Sequence, residues 1–314
     1  MANYQIGSLI KRVRKQKGIT QEELAFPIID RATLSKIENG RAVPNNKTMR
    51  ALFEKLGISP DYNTNFFLDA DMTDEQKILD ELEEILDINH VEDDPVIMQI
   101  DILIQQLESS EEYMQNELNR QYITIAKAIN AHNKKEDLKN IWAMTLEAIR
   151  ISIPGFSEDL IEDYYLSRVD MLILTLMVAL YNDDNDHDKA IGILYGIKRN
   201  LDKHCIDKAE MGKRYPVIIA NLAYLLLYEV QRYSEAVEVC ESGRKVCIET
   251  GRIFYLPVIA GYMAICLCKL GDTVKGIKLL RQAYHACDLI ELYQYRDEIA
   301  EFAKNELGMG LEKV

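Results

Sequence analysis

The sequence predicts an all-α protein, with a compact N-terminal helical domain followed by a longer array of helix pairs. Three observations carry that prediction. Glycine and proline are sparse, at 15 and 7 residues, and β-branched alternation is rare, so the periodicity is helical. The stretch Gly18 to Gly40 holds two short helical patterns joined by a tight connection. Further on, four segments open a helix in a similar way at comparable spacings. At 314 residues the chain exceeds one typical domain, so two are expected.

In chain order, Ile6 to Lys17 reads as the first helix, with Ile6, Leu9, Ile10 and Val13 on its core face. Thr20 is a good N-cap, and Glu23 three residues on completes a capping box. Leu24, Ala25 and Ile28 supply the inward face. Pro27 lacks an amide hydrogen, so this helix should stop near Phe26. The next helix starts at about Arg31, with Leu34 and Ile37 inward, Lys36 and Arg41 outward, and Gly40 as its C-cap glycine. Asn46 to Leu56 follows with Met49, Leu52, Phe53 and Leu56 inward and Gly57 closing it. Ser59 to Asn65, with Pro60, reads as a boundary.

Residues 69–94 hold 12 acidic residues against the single Lys77. Within them Ile78, Leu82, Ile85 and Leu86 recur at helical spacing, predicting an amphipathic helix from Asp74 to Asp87 with Thr73 as its cap. It suits either a connector packed on the next domain or an ordinary surface helix. From Asp94 onward the chain is helix after helix. The segments at 135–138, 187–190, 233–236 and 273–276 each open a helix, and their fourth residues lie 52, 46 and 40 apart. Strongly apolar helices, Met171–Tyr181, Val217–Val230 and Val258–Leu270, precede the last three. Helix pairs at this scale suggest a solenoid of tetratricopeptide type, with a longer and more variable period than usual. An irregular helical bundle is the other arrangement weighed for this half.

The N-terminal pattern resembles the helix-turn-helix of the lambda-repressor/Cro (XRE) family. Thr20, Gln21, Glu22, Leu24, Ala25, Leu34, Ser35, Lys36, Ile37, Glu38, Asn39, Gly40 and Pro44 carry the resemblance, over about the first 58 residues. Between Gln21 and Leu34 the chain is one residue shorter than in most of that family. This is similar to the peptide-pheromone regulators of Gram-positive bacteria, the PlcR, PrgX, NprR and Rgg group, which join such a unit to a tetratricopeptide solenoid. Pro27 departs from the pattern, as does Ala32, where many members carry a polar residue.

Charge is unevenly placed. Residues 1–58 hold 11 Lys or Arg against 5 Asp or Glu, a net of +6; the whole chain is −14, leaving −20 for the rest. A polyanion therefore meets only the N-terminal domain favourably. The cluster Lys11, Arg12, Arg14, Lys15 and Lys17 reads as a DNA-facing surface once it stands beside the helix-turn-helix pattern. No apolar run reaches membrane-span length and no signal pattern opens the chain, so a cytoplasmic protein without membrane contact is expected. Six cysteines without Cys-x-x-Cys pairs or histidines at ligand spacing read as small buried hydrophobes. Asp183 to Asp188 superficially suggests calcium but lacks the central glycine and terminal glutamate of an EF-hand loop. No phosphate loop, HExxH or GxSxG is present, so no enzyme, metal site or cofactor is expected.

The resemblance implies specific contacts. It places Arg31, Ala32 and Lys36 at base edges in the major groove, Gln21 at a phosphate, and Thr33 and Arg41 at the DNA backbone. It implies a homodimer on an inverted-repeat operator, with the apolar solenoid as the source of the dimer. In the PlcR-like group, asparagines on the inner helices of the solenoid hold a signalling peptide by its backbone. The segment 219–226 resembles such a helix and puts Asn221 at the matching position, with Tyr224 one turn on. Tyr262 occupies the equivalent place in the next repeat, where it departs from asparagine, and Arg168 suits a peptide carboxylate. Asn221 bracing a neighbouring helix is the structural alternative. The reading is then a peptide-controlled DNA-binding transcription regulator of quorum-sensing type. It comprises a DNA-binding domain (1–65), an acidic linker helix (66–94) and a peptide-sensing and dimerisation domain (95–314). The alternatives are a solenoid scaffold that inhibits another regulator, as in Rap-type relatives, and a repressor without a small ligand.

Overall fold

The computed structural model describes residues 2–42, 44–57, 74–86, 94–205 and 207–311, and all regular elements among them are helical. The expected boundary at Ser59–Asn65, the Thr73 cap and residues 87–93 lie outside the described residues, as does the side chain of Ile6. The chain divides into two compact units, residues 1–184 and 185–314.

The first unit opens with α1 (Ala2–Gln16), α2 (Gln21–Ala25), α3 (Arg31–Glu38) and α4 (Asn46–Lys55). The Thr20–Glu23 capping box starts α2 and the helix ends before Pro27, as local chemistry dictates. The Asp30 side chain caps α3 by accepting from the Thr33 amide. Gly40, at φ +68°, lets its own amide and that of Arg41 turn back onto the Ile37 and Lys36 carbonyls and close α3. Ile10, Val13, Leu24, Ala25, Leu34, Ile37, Met49, Leu52, Phe53 and Leu56 form one buried core, with Leu9 and Ile28 half-buried at its edge. Each large side chain so buried contributes about 1.5–3 kcal/mol.

The unit continues through α5 (Asp74–Leu86), α6 (Asp94–Glu108), α7 (Glu111–Met114), α8 (Glu117–Asn133), α9 (Leu138–Ser152), a 3-10 turn at Glu158–Asp163 and α10 (Arg168–Asp183). The apolar stripe of α5 is covered: Leu82 and Leu86 join Ile100, Leu103, Ile104 and Leu107 of α6, and Tyr122, Ile123 and Ala126 of α8. The helix is therefore packed on α6 and α8 through the stripe its spacing predicts.

The second unit consists of α11 (His187–His204), α12 (Lys208–Tyr224) with a π-helical turn at Leu225–Glu229, α13 (Tyr233–Thr250), α14 (Leu256–Lys269), α15 (Thr273–Leu289) and α16 (Tyr293–Leu307). Successive helices from α11 to α16 pack on one another, and α12, α14 and α16 also touch, as stacked helix hairpins place them. The repeat is visible in the backbone. Asn185, Gln231, Gly271 and Glu291 are left-handed, at φ +57°, +56°, +91° and +61°. The residues after them, Asp186, Arg232, Asp272 and Leu292, all have ψ near +60°, at 62°, 66°, 60° and 60°, and a helix starts one residue later. Three of the sequence-predicted openings therefore bury a small residue in the helix packing: Ala190, Ala236 and Gly276. Leu138 of the fourth is only half-buried.

The acidic run at 183–188 is committed to structure. Asp183 meets His132 at 2.7 Å, Asp186 caps α11, and Asp188 pairs with Arg232. Of the cysteines, Cys240, Cys247, Cys266 and Cys287 are buried, while Cys205 and Cys268 are partly exposed. Among the described residues no helix is long and apolar enough to cross a membrane.

Candidate functional site

Two surfaces bring the predicted residues together, one in each unit. On the first, α3 projects from the N-terminal core with Leu34 and Ile37 anchored inward. Arg31, Ala32, Lys36 and Arg41 are exposed, and Thr33 is half-exposed. The Thr33 hydroxyl donates to Asp30 at 2.6 Å, so it belongs to the cap of α3 as well as to that surface. Lys11, Arg12 and Lys15 of α1 line an open groove beside Asn39 at the end of α3, and Lys11 Nζ donates to Asn39 Oδ1 at 2.9 Å. The cationic surface therefore runs from α3 onto α1.

Arg14 is a correction to the basic cluster. It is 8% exposed and its guanidinium grips Glu38 through Nε at 2.5 Å and Nη2 at 3.0 Å, while Nη1 donates to the Ile19 carbonyl at 2.8 Å. Glu38 is 3% exposed and also accepts from Gln21 Nε2 at 2.8 Å. One buried carboxylate thus ties α1, the start of α2 and the end of α3 together. The Gln21 amide has two hydrogens; the bond to Glu38 takes one and orients the other. Burial raises the Glu38 carboxyl, but hydrogen bonds from Arg14 and Gln21, and the charges of Arg14 and Lys11, outweigh it and hold the group below its ordinary range.

On the second surface, Asn221 and Tyr224 lie on α12 and Tyr262 on α14. Asn221 is half-buried, and its side-chain amide has no hydrogen-bond partner among the described residues. Tyr224 is 40% exposed and Tyr262 only 5%. Tyr262 forms the floor of an aromatic triangle with Tyr224 and Tyr228, with ring centroids 5.1–6.2 Å apart. Such edge-to-face groups are mutually stabilising. Glu298 of α16 neighbours Tyr228, and burial raises that carboxyl above its usual range. The cluster therefore spans α12, α14 and α16.

Tyr228 and Glu298 were not singled out from sequence. Tyr228 is four residues from Tyr224, a spacing that signals a shared face. Glu298 lies 70 residues further on and has no local signal. Arg168 is in the first unit, where Nη1 meets Glu83 at 2.5 Å.

Residues 10–63 match the helix-turn-helix family HTH_3. Endothelial differentiation-related factor 1 of Rattus norvegicus and of Mus musculus are each 34% identical over 55 residues, which is 17% of this chain. The match spans 37% of the length of these curated relatives. Among solved structures, apo PlcR of Bacillus thuringiensis has a TM-score of 0.57 at 16% identity, over 95% of this chain and 98% of its own. PlcR in complex with the peptide PapR7 and DNA has a TM-score of 0.55 at 18% identity, over 94% and 99%. The chain shares the all-α fold of PlcR from its helix-turn-helix to its C-terminal helices.

Proposed function

We propose that this protein is a DNA-binding transcription regulator of the cytoplasm, a homodimer on an inverted-repeat operator, controlled by a short signalling peptide. Residues 1–65 read DNA, 66–94 connect, and 95–314 sense the peptide and dimerise. The observation that carries the reading is the exposed row Arg31, Ala32 and Lys36 on a helix whose base is locked by the buried Glu38, with Arg41 exposed just past its end. A reading helix needs such a fixed scaffold to place its N-terminal residues at base edges. The likeness to PlcR, solved with a peptide and DNA, supports the peptide clause, as does the unengaged amide of Asn221 beside the tyrosines.

Arg31 paired bidentately with guanine supplies about 1–3 kcal/mol of discrimination. Arg31→Ala is therefore expected to relax preference at one base pair per half-site in a binding-site selection. Gln21→Ala should weaken all sequences alike, because phosphate contacts position without specifying. An unchanged preference in Arg31→Ala removes the assignment.

Asn221 holds the peptide backbone with its amide. Loss of a buried hydrogen-bonding side chain costs about 1–3 kcal/mol, so Asn221→Ala should weaken peptide binding roughly 5- to 150-fold while the fold stays intact. Native mass spectrometry with peptides encoded beside the gene identifies the ligand, and calorimetry on the variant reads the loss. Wild-type affinity takes Asn221 out of the site; a collapsed melting temperature favours the bracing role.

A further inference from the structure

The first unit holds a partly open cavity of about 160 Å³ bordered by α4, α5, α7, α8 and α10. Three of its lining residues have unmet bonding capacity. Gln121 is 0% exposed, and its amide nitrogen donates to Ser152 Oγ at 2.8 Å and Asp170 Oδ1 at 2.9 Å. Those bonds fix the orientation of the amide, and its carbonyl oxygen is left without a donor among the described residues. The Tyr113 hydroxyl is likewise buried without a partner among them. Lys47 Nζ stands 5.2 Å from the centroid of the Tyr113 ring, with no ion pair among the described residues. The other charges at the cavity wall are engaged: Arg168 with Glu83, Arg50 with Asp80, Lys55 with the Phe26 carbonyl, Asp170 with Ser152, Ser167 and Gln121, and the Glu54 carboxylate in an interaction of its own.

A half-buried cation without a counter-charge among the described residues, a buried hydroxyl and a buried carbonyl oxygen line one small space and define a complementary occupant. We infer that this cavity binds a small carboxylate bearing a hydroxyl group. Its carboxylate takes the Lys47 ammonium and the Tyr113 hydroxyl, and its hydroxyl donates to the Gln121 carbonyl. Water satisfies the two neutral groups but supplies no negative charge. Partial burial lowers the Lys47 ammonium to about 8. The volume suits a handful of non-hydrogen atoms, since a water occupies about 30 Å³ in the liquid. An occupant there ties α4 of the N-terminal bundle to α7 and α8, so its binding stabilises that arrangement by mass action.

The test is calorimetry on the full-length protein at constant ionic strength, with L-lactate as probe and lactamide as its uncharged counterpart. Saturable lactate binding is expected, with a dissociation constant of about 1 mM, as fits so small a ligand. Lactamide should bind at least about tenfold more weakly, because a charge-assisted bond is lost. Lys47→Met should weaken lactate by about tenfold or more. Tyr113→Phe, which keeps the ring, should weaken it several-fold and decides the matter if Lys47→Met does not fold by circular dichroism. Absence of saturable lactate heat, equal binding of lactamide, or wild-type affinity in the folded variants overturns the inference.

Discussion

Glu38→Ala is expected to cost about 3–5 kcal/mol and to abolish operator binding. That is the size of effect found when one partner of a buried ion pair is removed and the other is left uncompensated. Here the stranded group is the Arg14 guanidinium, held among α1, α2 and α3 with two contacts to Glu38. Such a loss is a large share of the roughly 5–15 kcal/mol that stabilises a domain. Calorimetric unfolding and a gel-shift titration check it; an N-terminal transition at the wild-type temperature would refute it. The pair also predicts a pH dependence. The carboxyl is depressed below its ordinary value of 4.5 in the folded protein. Its contribution is therefore fully present above that value and is lost as pH falls through the folded value. The wild-type melting temperature should drop below about pH 4.5, and Glu38→Gln, already destabilised, should show less of that drop.

Gly7→Ala is expected to be the most damaging conservative change in the N-terminal domain. Gly7 lies where α1 meets the end of α3. A Cβ there would overlap the Ile37 carbonyl oxygen and stand 3.0 Å from its carbon and 3.4 Å from Glu38 Cα. Every one of those atoms is backbone, so none rotates aside, and α1 must lift from α3. Overpacking of this kind typically costs about 1–3 kcal/mol, against a helix-propensity gain of about 0.8–1 kcal/mol. The clash should win, and the shift also strains the Arg14–Glu38 grip, so operator affinity falls with stability. Gly192→Ala, in α11 with open space around the added methyl, carries the propensity gain alone and is the control. If Gly7→Ala melts above wild type, α1 and α3 do not meet as described.

The helices were legible because their signals are local. Thr20, Glu23 and Gly40 act through backbone partners within one or two turns, and the inward stripe from Leu24 to Leu56 shows in its helical spacing, so a linear reading finds them. The exposed face of α3 follows from the same periodicity once Leu34 and Ile37 are placed inward. The helix openings at Ala190, Ala236 and Gly276 were visible for the same reason, although their shared left-handed turn was not.

What the tertiary structure alone decided are pairings between residues far apart in the chain. Arg14 reads like its neighbours Lys11, Arg12 and Lys15, and only Glu38, 24 residues on, draws it into the core. Tyr228 comes beside Glu298 across two helix pairs. Lys47, Tyr113 and Gln121 are unremarkable in sequence and meet around one cavity. Helical periodicity places a side chain on a face, but burial and charge compensation depend on which distant residue packs opposite. That choice is made by the packing of whole helices, which no short window of sequence contains.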